Sequence, residues 1–121
     1  MKKQVLNVGQ CSLDNNNIGK MLNANFDVQI KNVSSHDETM KLAQEGNFDL
    51  ILINRIYDAD QSAGQHTIEA LCALESNCPV MLVSNYEDAQ QSAINAGAAK
   101  GFGKSQLGAA ETIELLKKHL A

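Results

Sequence analysis

The sequence lacks tryptophan and is poor in aromatic residues, which make up 4% of the chain. A core built from it must therefore consist mainly of aliphatic side chains. Proline occurs once, at Pro79, and no linker, low-complexity segment or repeat interrupts the chain. A length of 121 residues fits one domain and can bury a substantial core. We therefore expect a single domain over residues 1–121.

The sequence also lacks an excess of basic residues, since ten Lys and Arg accompany 14 Asp and Glu and the formal net charge is −4. This charge disfavours a dedicated nucleic-acid binder, which needs a basic face to neutralise phosphates. No apolar run approaches membrane-spanning length, and no secretory signal precedes the first strand. Three cysteines without metal-ligand spacing favour a reduced, cytoplasmic protein. We expect no nucleic acid and no membrane among the partners.

The most informative stretch that is present runs from Phe48 to Asn54, with four consecutive aliphatic residues before the polar Asn54. A run this short and this apolar predicts a strand that is buried on both faces of a parallel sheet. Strand and helix patterns alternate five times along the chain. This alternation predicts an α/β fold of the flavodoxin-like type, with a parallel sheet in the order 2-1-3-4-5 and helices on both faces.

Several local signals predict where the helices begin and end. Asp14 or one of residues 15–17 is expected to cap the first helix, and residues 34–37 carry a second capping signal. The pattern places later helices over Thr67–Leu74, Ala89–Ala96 and Ala109–Leu120.

Three segments are informative in their order and spacing: Phe48–Ile53, Pro79–Ser84, and Ala96–Ala98 followed by Lys104, seven residues after Gly97. Together they resemble the receiver domains of bacterial two-component response regulators. Gly64 also fits the glycine that precedes the third helix in that family. The resemblance covers nearly the whole chain and implies a receiver-like domain without an output domain in this chain.

Family receivers accept a phosphoryl group on an Asp at the end of the third strand, and two acidic residues after the first strand help to hold Mg²⁺. The resemblance places Asn54 at the acceptor position and Gly9 and Gln10 at the acidic pair. Ser84 and Lys104 fit the hydroxyl and lysine that contact phosphoryl oxygens. Because an amide is not a usable nucleophile and both metal carboxylates are missing, the resemblance implies a degenerate receiver, or pseudo-receiver. No catalytic residue, metal site or cofactor is expected.

Two further positions depart from the family pattern. Ser105 follows the lysine where the family usually has proline, and Gly101 stands where an aromatic residue takes part in switching. Phe102 comes one residue later and is expected to face the opposite side of a regular strand.

Other residues near the expected site have ordinary alternatives. Lys104 is expected to hydrogen-bond Asn54 or the end of the first strand, or to retain an anion site. Ser84 is expected to cap the turn after the fourth strand, and Cys11 to be a half-buried thiol without special reactivity. Asp14, Asp58 and Asp60 are expected to be a helix cap and solvated loop charges, with substitute metal ligands as the alternative.

The resulting hypothesis is a non-phosphorylatable domain that signals through protein–protein contact, with a partner from a signalling pathway and homodimerisation as a further possibility. Small residues near the fourth helix and fifth strand make that face a candidate contact surface; they are Ala93, Ala96, Ala98 and Ala99. The alternatives are a small-ligand sensor at a crevice beside Gly9 and Gln10, or a phosphoryl-accepting regulator with a rebuilt acidic site. No nucleophile–base pair or phosphate-binding glycine loop indicates an enzyme.

This hypothesis carries two expectations about variants. Asn54→Asp is expected to be tolerated, provided that its site is near solvent and Lys104 can pair with the new carboxylate. Adding Gly9→Asp and Gln10→Glu is expected to rebuild a site that reacts with acetyl phosphate.

Overall fold

The structure, a computed structural model, describes residues 2–74 and 76–121. In this part of the chain five parallel strands form one sheet in the order β2-β1-β3-β4-β5, so the predicted flavodoxin-like α/β fold is confirmed. The strands are Lys3–Val8 (β1), Val28–Val33 (β2), Leu50–Asn54 (β3), Val80–Val83 (β4) and Ala99–Phe102 (β5). The helices are Ser12–Asn25 (α1), His36–Glu45 (α2), Gly64–Ala73 (α3), Glu87–Asn95 (α4) and Ala110–Leu120 (α5).

Strand β3 lies at the centre of the sheet, and all five of its residues are buried. Successive side chains of a strand point to opposite faces. Leu50 and Leu52 accordingly pack with residues of α1 and α5, whereas Ile51 and Ile53 pack with residues of α3 and α4. The aliphatic run is therefore explained by burial from both sides.

The helix boundaries differ from prediction at three starts. Cys11, and not Asp14 or a residue of 15–17, is the N-cap of α1, and its sulfur accepts a bond from the Asp14 amide at 3.5 Å. Helix α3 begins at Gly64, before its apolar pattern starts, and α4 begins at Glu87. The second capping signal is confirmed, because the Ser35 hydroxyl accepts from the Glu38 amide at the start of α2.

Of the four small residues that the sequence placed on a candidate contact surface, Ala93 and Ala98 are buried, and Ala96 and Ala99 are partly buried against the core. Ala93 is fully buried and Ala98 is nearly so, and both pack in the core with Ile68 of α3. Their small side chains let α4 lie close to the sheet. The large apolar residues that α4 and its N-cap expose are Tyr86 and Ile94. None of the helices in residues 2–74 and 76–121 is long and apolar enough to cross a membrane.

Candidate functional site

A small cavity of about 150 Å³ lies where β3 and β4 end, at the edge of the sheet where ligands of this fold class bind. Asn54, Ser84 and Lys104 all line it, so the structure brings three of the five expected site residues together. Gly9 and Gln10 do not line it, although Gly9 contacts Asn54 through its backbone. Of the expected site, the positions of Asn54, Ser84 and Lys104 therefore border open space, whereas those of Gly9 and Gln10 do not.

Asn54 occupies the acceptor position with its amide group turned toward backbone oxygens. Its Nδ2 donates to the carbonyl oxygen of Gly9 at 2.9 Å and to that of Ile56 at 2.7 Å. The side chain is buried, with 6% of the residue exposed. A carboxylate here would have no hydrogen to donate and would face two carbonyl oxygens. The local structure therefore favours an amide over a carboxylate at this position.

The space beside Gly9 is filled by the ring of Tyr57, which is fully buried. Gly9 has φ of 77°, a conformation that favours glycine, and a Cβ added there would collide with the Tyr57 ring. The Asp58 amide donates to the Gly9 carbonyl oxygen at 3.0 Å, which holds the loop after β3 against the end of β1. Tyr57 thus occupies the place where a side chain of residue 9 would project.

The Tyr57 hydroxyl is also fixed. It donates to Thr67 Oγ1 at 2.6 Å, and Thr67 is 2.8 Å from His36 Nδ1. Burial raises the pKa of Tyr57 to about 12, so the ring stays neutral at ordinary pH. One signal in the sequence could have indicated that Tyr57 is buried beside Gly9, namely its position as an aromatic residue in an otherwise polar loop after the central strand.

Two expectations about variants do not fit this geometry. Asn54→Asp would lose both hydrogen bonds of the amide, and Lys104 is paired with another residue. Gly9→Asp would require Tyr57 to leave its position. We therefore expect that carboxylates at positions 9 and 54 would displace the Tyr57 ring and the Asn54 hydrogen bonds.

Gln10 is buried with 7% of the residue exposed, and its side-chain oxygen and nitrogen have no hydrogen-bond partner among the described residues. A buried amide without partners carries a desolvation cost. The amide is uncharged and supplies no carboxylate toward a metal.

Lys104 forms an ion pair with Asp14, at 2.8 Å between Nζ and Oδ2. This corrects the expectation that Lys104 bonds Asn54 or the end of the first strand. The hydrogen bond from Lys104 lowers the pKa of Asp14, which lies in the first turn of α1. Asp14 is therefore an ion-pair partner and not the helix cap. Asp58 is exposed, and Asp60 accepts bonds from Ser62, as expected for loop charges.

Ser84 caps the turn after β4, as predicted, because its oxygen accepts from the Tyr86 amide at 3.1 Å. Beside it, Arg55 lies over the Tyr86 ring with 4.5 Å between guanidinium carbon and ring centre. The sequence did not single out Arg55, since a basic residue in a polar loop is usually a solvated charge.

Gln90 of α4 reaches the sheet where Gly101 lacks a side chain. Its Nε2 donates to the carbonyl oxygens of Leu82 at 2.9 Å and Ser84 at 3.1 Å. A Cβ on Gly101 would collide with the Leu82 carbonyl oxygen. Phe102 faces away from α4, as expected, and packs in the core with Leu116 of α5.

Within residues 2–74 and 76–121, no three His, Cys, Asp or Glu side chains cluster closely enough to hold a metal ion. His36 and His66 stack with 4.7 Å between ring centres, at the starts of α2 and α3. Cys11 is half-buried and serves as the cap of α1.

No protein-family model and no curated sequence matches the chain. Solved structures do match it. The chain has the fold of a response regulator receiver domain. NtrX from Brucella abortus has a TM-score of 0.72 at 17% identity, with 98% of this chain and 28% of NtrX covered. This chain therefore spans little more than a quarter of the NtrX chain.

Two further structures have the same fold. A response regulator from Burkholderia pseudomallei, which carries a phosphorylated aspartic acid, has a TM-score of 0.72 at 17% identity, with 99% and 67% of the two chains covered. An orphan response regulator of H. pylori has a TM-score of 0.73 at 18% identity, with 98% and 97% covered. Identities this low establish the fold of this chain and leave its function to the geometry of its site.

Proposed function

We propose that the chain is a receiver-like signalling domain that acts through contact with a protein partner and does not accept a phosphoryl group. The observation that carries the proposal is the Asn54 amide, which donates to the carbonyl oxygens of Gly9 and Ile56. Neither the residue nor its surroundings suits a nucleophilic carboxylate. Without a covalent switch, regulation requires a partner or ligand that prefers one of two conformations.

Two neighbouring features support the loss of phosphoryl transfer. Tyr57 fills the space beside Gly9, and Gln10 contributes an amide where a metal ligand would be needed. Mg²⁺ keeps its waters unless carboxylates or phosphates replace them. Gly9, Gln10 and Asn54 supply no carboxylate, so we expect no tight Mg²⁺ binding at these positions. Lys104 is held by Asp14 and has no acceptor carboxylate to pair with at position 54.

We assign the contact surface to the face formed by α4, β5 and α5. Tyr86, the N-cap of α4, and Ile94, in its last turn, are 58% and 38% exposed. Ile94 lines a groove of about 490 Å³ between α4 and β5, together with Gln90 and Phe102. Tyr86 lines the small cavity at the ends of β3 and β4. Exposed aromatic and aliphatic side chains beside a polar groove suit a protein partner, which includes a second copy of this chain.

The contact surface is tested with a double variant, Tyr86→Ser with Ile94→Ser. Co-purification with mass spectrometry identifies a partner, and sedimentation velocity measures self-association. The double variant should lose the partner or the dimer, and acetyl phosphate with Mg²⁺ should not alter binding by the wild type. The control is Leu13→Ser in α1, since Leu13 is 65% exposed and lies outside this face. Binding that depends on the phosphodonor, or that survives the double change, would count against the proposal.

A further inference from the structure

A separate cavity of about 310 Å³ lies at the amino end of the sheet, at the opposite end of β3 from Asn54. It is bordered by the C-terminal ends of α2 and α3, the starts of β3 and β4, and the loop that leads into β4. Pockets for small organic ligands measure roughly 300–1,000 Å³, so a small molecule fits this cavity. Because of its position, a ligand here does not depend on the partner contact proposed above.

The walls of this cavity are mainly apolar. Phe48 supplies an aromatic ring and is half-buried just before β3. Ile51 of β3, Leu71 of α3 and Val80 of β4 supply aliphatic surface, and all three side chains are almost fully buried. An apolar ligand body that displaces water from such walls gains free energy of transfer.

Asp49 supplies the one charged side chain of the described lining. It is half-buried, and its Oδ2 accepts from the Gln4 amide at 2.7 Å. In residues 2–74 and 76–121, Oδ1 has no hydrogen-bond partner and the carboxylate has no cationic partner. A half-buried carboxylate with one unused oxygen favours a donor that carries positive charge.

The neighbouring thiol adds no charge of its own. Burial, together with the negative charge of Asp49, raises the pKa of Cys78 to about 11, so the thiol stays neutral near pH 7. The described lining of the cavity therefore combines one negative charge with apolar and neutral groups. This combination disfavours an anionic ligand and leaves a neutral apolar ligand without a donor for Asp49.

We propose that this cavity binds a small organic cation, namely a primary ammonium group on an aromatic or aliphatic body. The ammonium group donates to Asp49, and the body packs against Phe48, Ile51 and Leu71. Asp49 keeps its bond from Gln4 through Oδ2, so the ligand uses Oδ1 and need not break the contact between β1 and β3.

The test is a titration of the ¹⁵N-labelled chain with benzylamine near pH 7 and at constant ionic strength, followed by resonance shifts. Benzyl alcohol, a neutral molecule of nearly the same shape, is titrated in parallel. We expect saturable shifts with benzylamine at residues 48–51 and 76–78, with a dissociation constant on the order of 1 mM for a ligand of this size. Benzyl alcohol should bind about tenfold more weakly, since it lacks the charge-assisted hydrogen bond.

Two variants separate the charge from the volume of the cavity. Asp49→Asn keeps an acceptor for Gln4 and should reduce benzylamine affinity to that of benzyl alcohol. Its control is Asp58→Asn, because Asp58 is exposed in the loop at the other end of β3 and should leave binding unchanged. Ala43→Leu places a larger side chain in the cavity and should weaken both ligands severalfold, whereas Ala24→Leu, at an exposed position of α1, should not.

Three results would overturn the proposal. The first is a benzylamine titration without saturable shifts at the residues of the cavity. The second is equal affinity of the wild-type chain for benzylamine and benzyl alcohol. The third is an Asp49→Asn variant that has a well-dispersed spectrum and still prefers benzylamine. If this variant does not fold, the comparison of the two ligands on the wild type and on Ala43→Leu decides the question.

Discussion

At the scale of single residues, Asn54 at the end of β3 and Tyr57 in the loop that follows both contact Gly9, just after β1. Gly9 connects the two, because its carbonyl oxygen accepts from Asn54 and its missing side chain leaves room for the Tyr57 ring. These contacts make two positions sensitive to small substitutions, and each can be compared with a similar residue elsewhere.

Gly9→Ala should be strongly destabilising, by more than about 2 kcal/mol, because the new methyl group collides with Tyr57 and the positive φ is unfavourable for alanine. Gly19→Ala is the matched control. Gly19 lies inside α1 with open space where a methyl group would project, so alanine should stabilise the helix by roughly 0.5–1 kcal/mol. Urea unfolding of both variants measures the free energies. Equal changes in the free energy of unfolding at the two glycines would contradict the close contact between Gly9 and the Tyr57 ring.

Asn54→Asp should lower the free energy of unfolding by about 2–3 kcal/mol near neutral pH, because a buried carboxylate replaces an amide that donates two hydrogen bonds. Burial beside carbonyl oxygens should raise the pKa of the new carboxyl in the folded state. The loss should therefore shrink as the pH falls and the group becomes protonated. Asn16→Asp, at an exposed position of α1, should change stability by less than about 0.5 kcal/mol. A pH-independent loss would be inconsistent with the buried contacts assigned to Asn54.

At the scale of secondary-structure elements, two side-chain links fix the helices around the site. Gln90 ties α4 to the edge between β4 and β5, where the strand register is irregular. Asp14 ties the start of α1 to Lys104, which follows β5. Each link joins two elements near the carboxyl ends of the strands, so each is expected to hold one arrangement of the elements.

Gln90→Ala should cost about 1–2 kcal/mol, since the carbonyl oxygens of Leu82 and Ser84 lose a donor. Hydrogen exchange should become faster in α4 and β5 together, because the link between them is lost. Gln91→Ala is the control, as Gln91 bonds only Asn95 on the same helix and should cost less than about 0.5 kcal/mol. Unchanged exchange in β5 of the Gln90 variant would show that the link is unimportant.

Asp14→Asn should cost no more than about 1 kcal/mol near neutral pH, because the ion pair with Lys104 is partly exposed and screened. The folded-state pKa of Asp14 is lowered from 3.8, so this stability is present above 3.8 and is lost as the pH falls through the lowered value. The variant and the wild type should therefore converge in strong acid. Glu114→Gln, which breaks the more exposed pair with Lys117, should cost nearly nothing at any pH. A difference that persists in strong acid would contradict the assignment.

At the scale of the whole molecule, the fold could be predicted because its signals are local in sequence. The aliphatic run of β3 and the alternation of strands and helices identify a parallel sheet without knowledge of any contact. The cap at Cys11, the ring of Tyr57 over Gly9 and the pair between Lys104 and Asp14 could not be predicted in this way. Each depends on a contact that the folded chain creates, and residue type alone does not specify the partner.

The burial of the alanines near α4 could not be predicted from residue type either. Small residues suit both a close helix–sheet contact and a surface, and the sequence does not distinguish them. The structure buries Ala93 and Ala98, which leaves Tyr86 and Ile94 as the exposed apolar residues of this helix and its N-cap. The whole molecule thus has the fold of a receiver domain, and the carboxyl end of its sheet carries amides, a buried tyrosine and an internal ion pair.

The most direct test of the proposed function is the intact mass of the wild-type chain after incubation with acetyl phosphate and Mg²⁺. A receiver domain that carries the acceptor aspartate is treated alongside as the positive control. We expect the control to gain the mass of one phosphoryl group and this chain to gain none, because Asn54 is held by Gly9 and Ile56 and offers no nucleophile. A stoichiometric phosphoryl adduct on the wild-type chain would contradict the proposal.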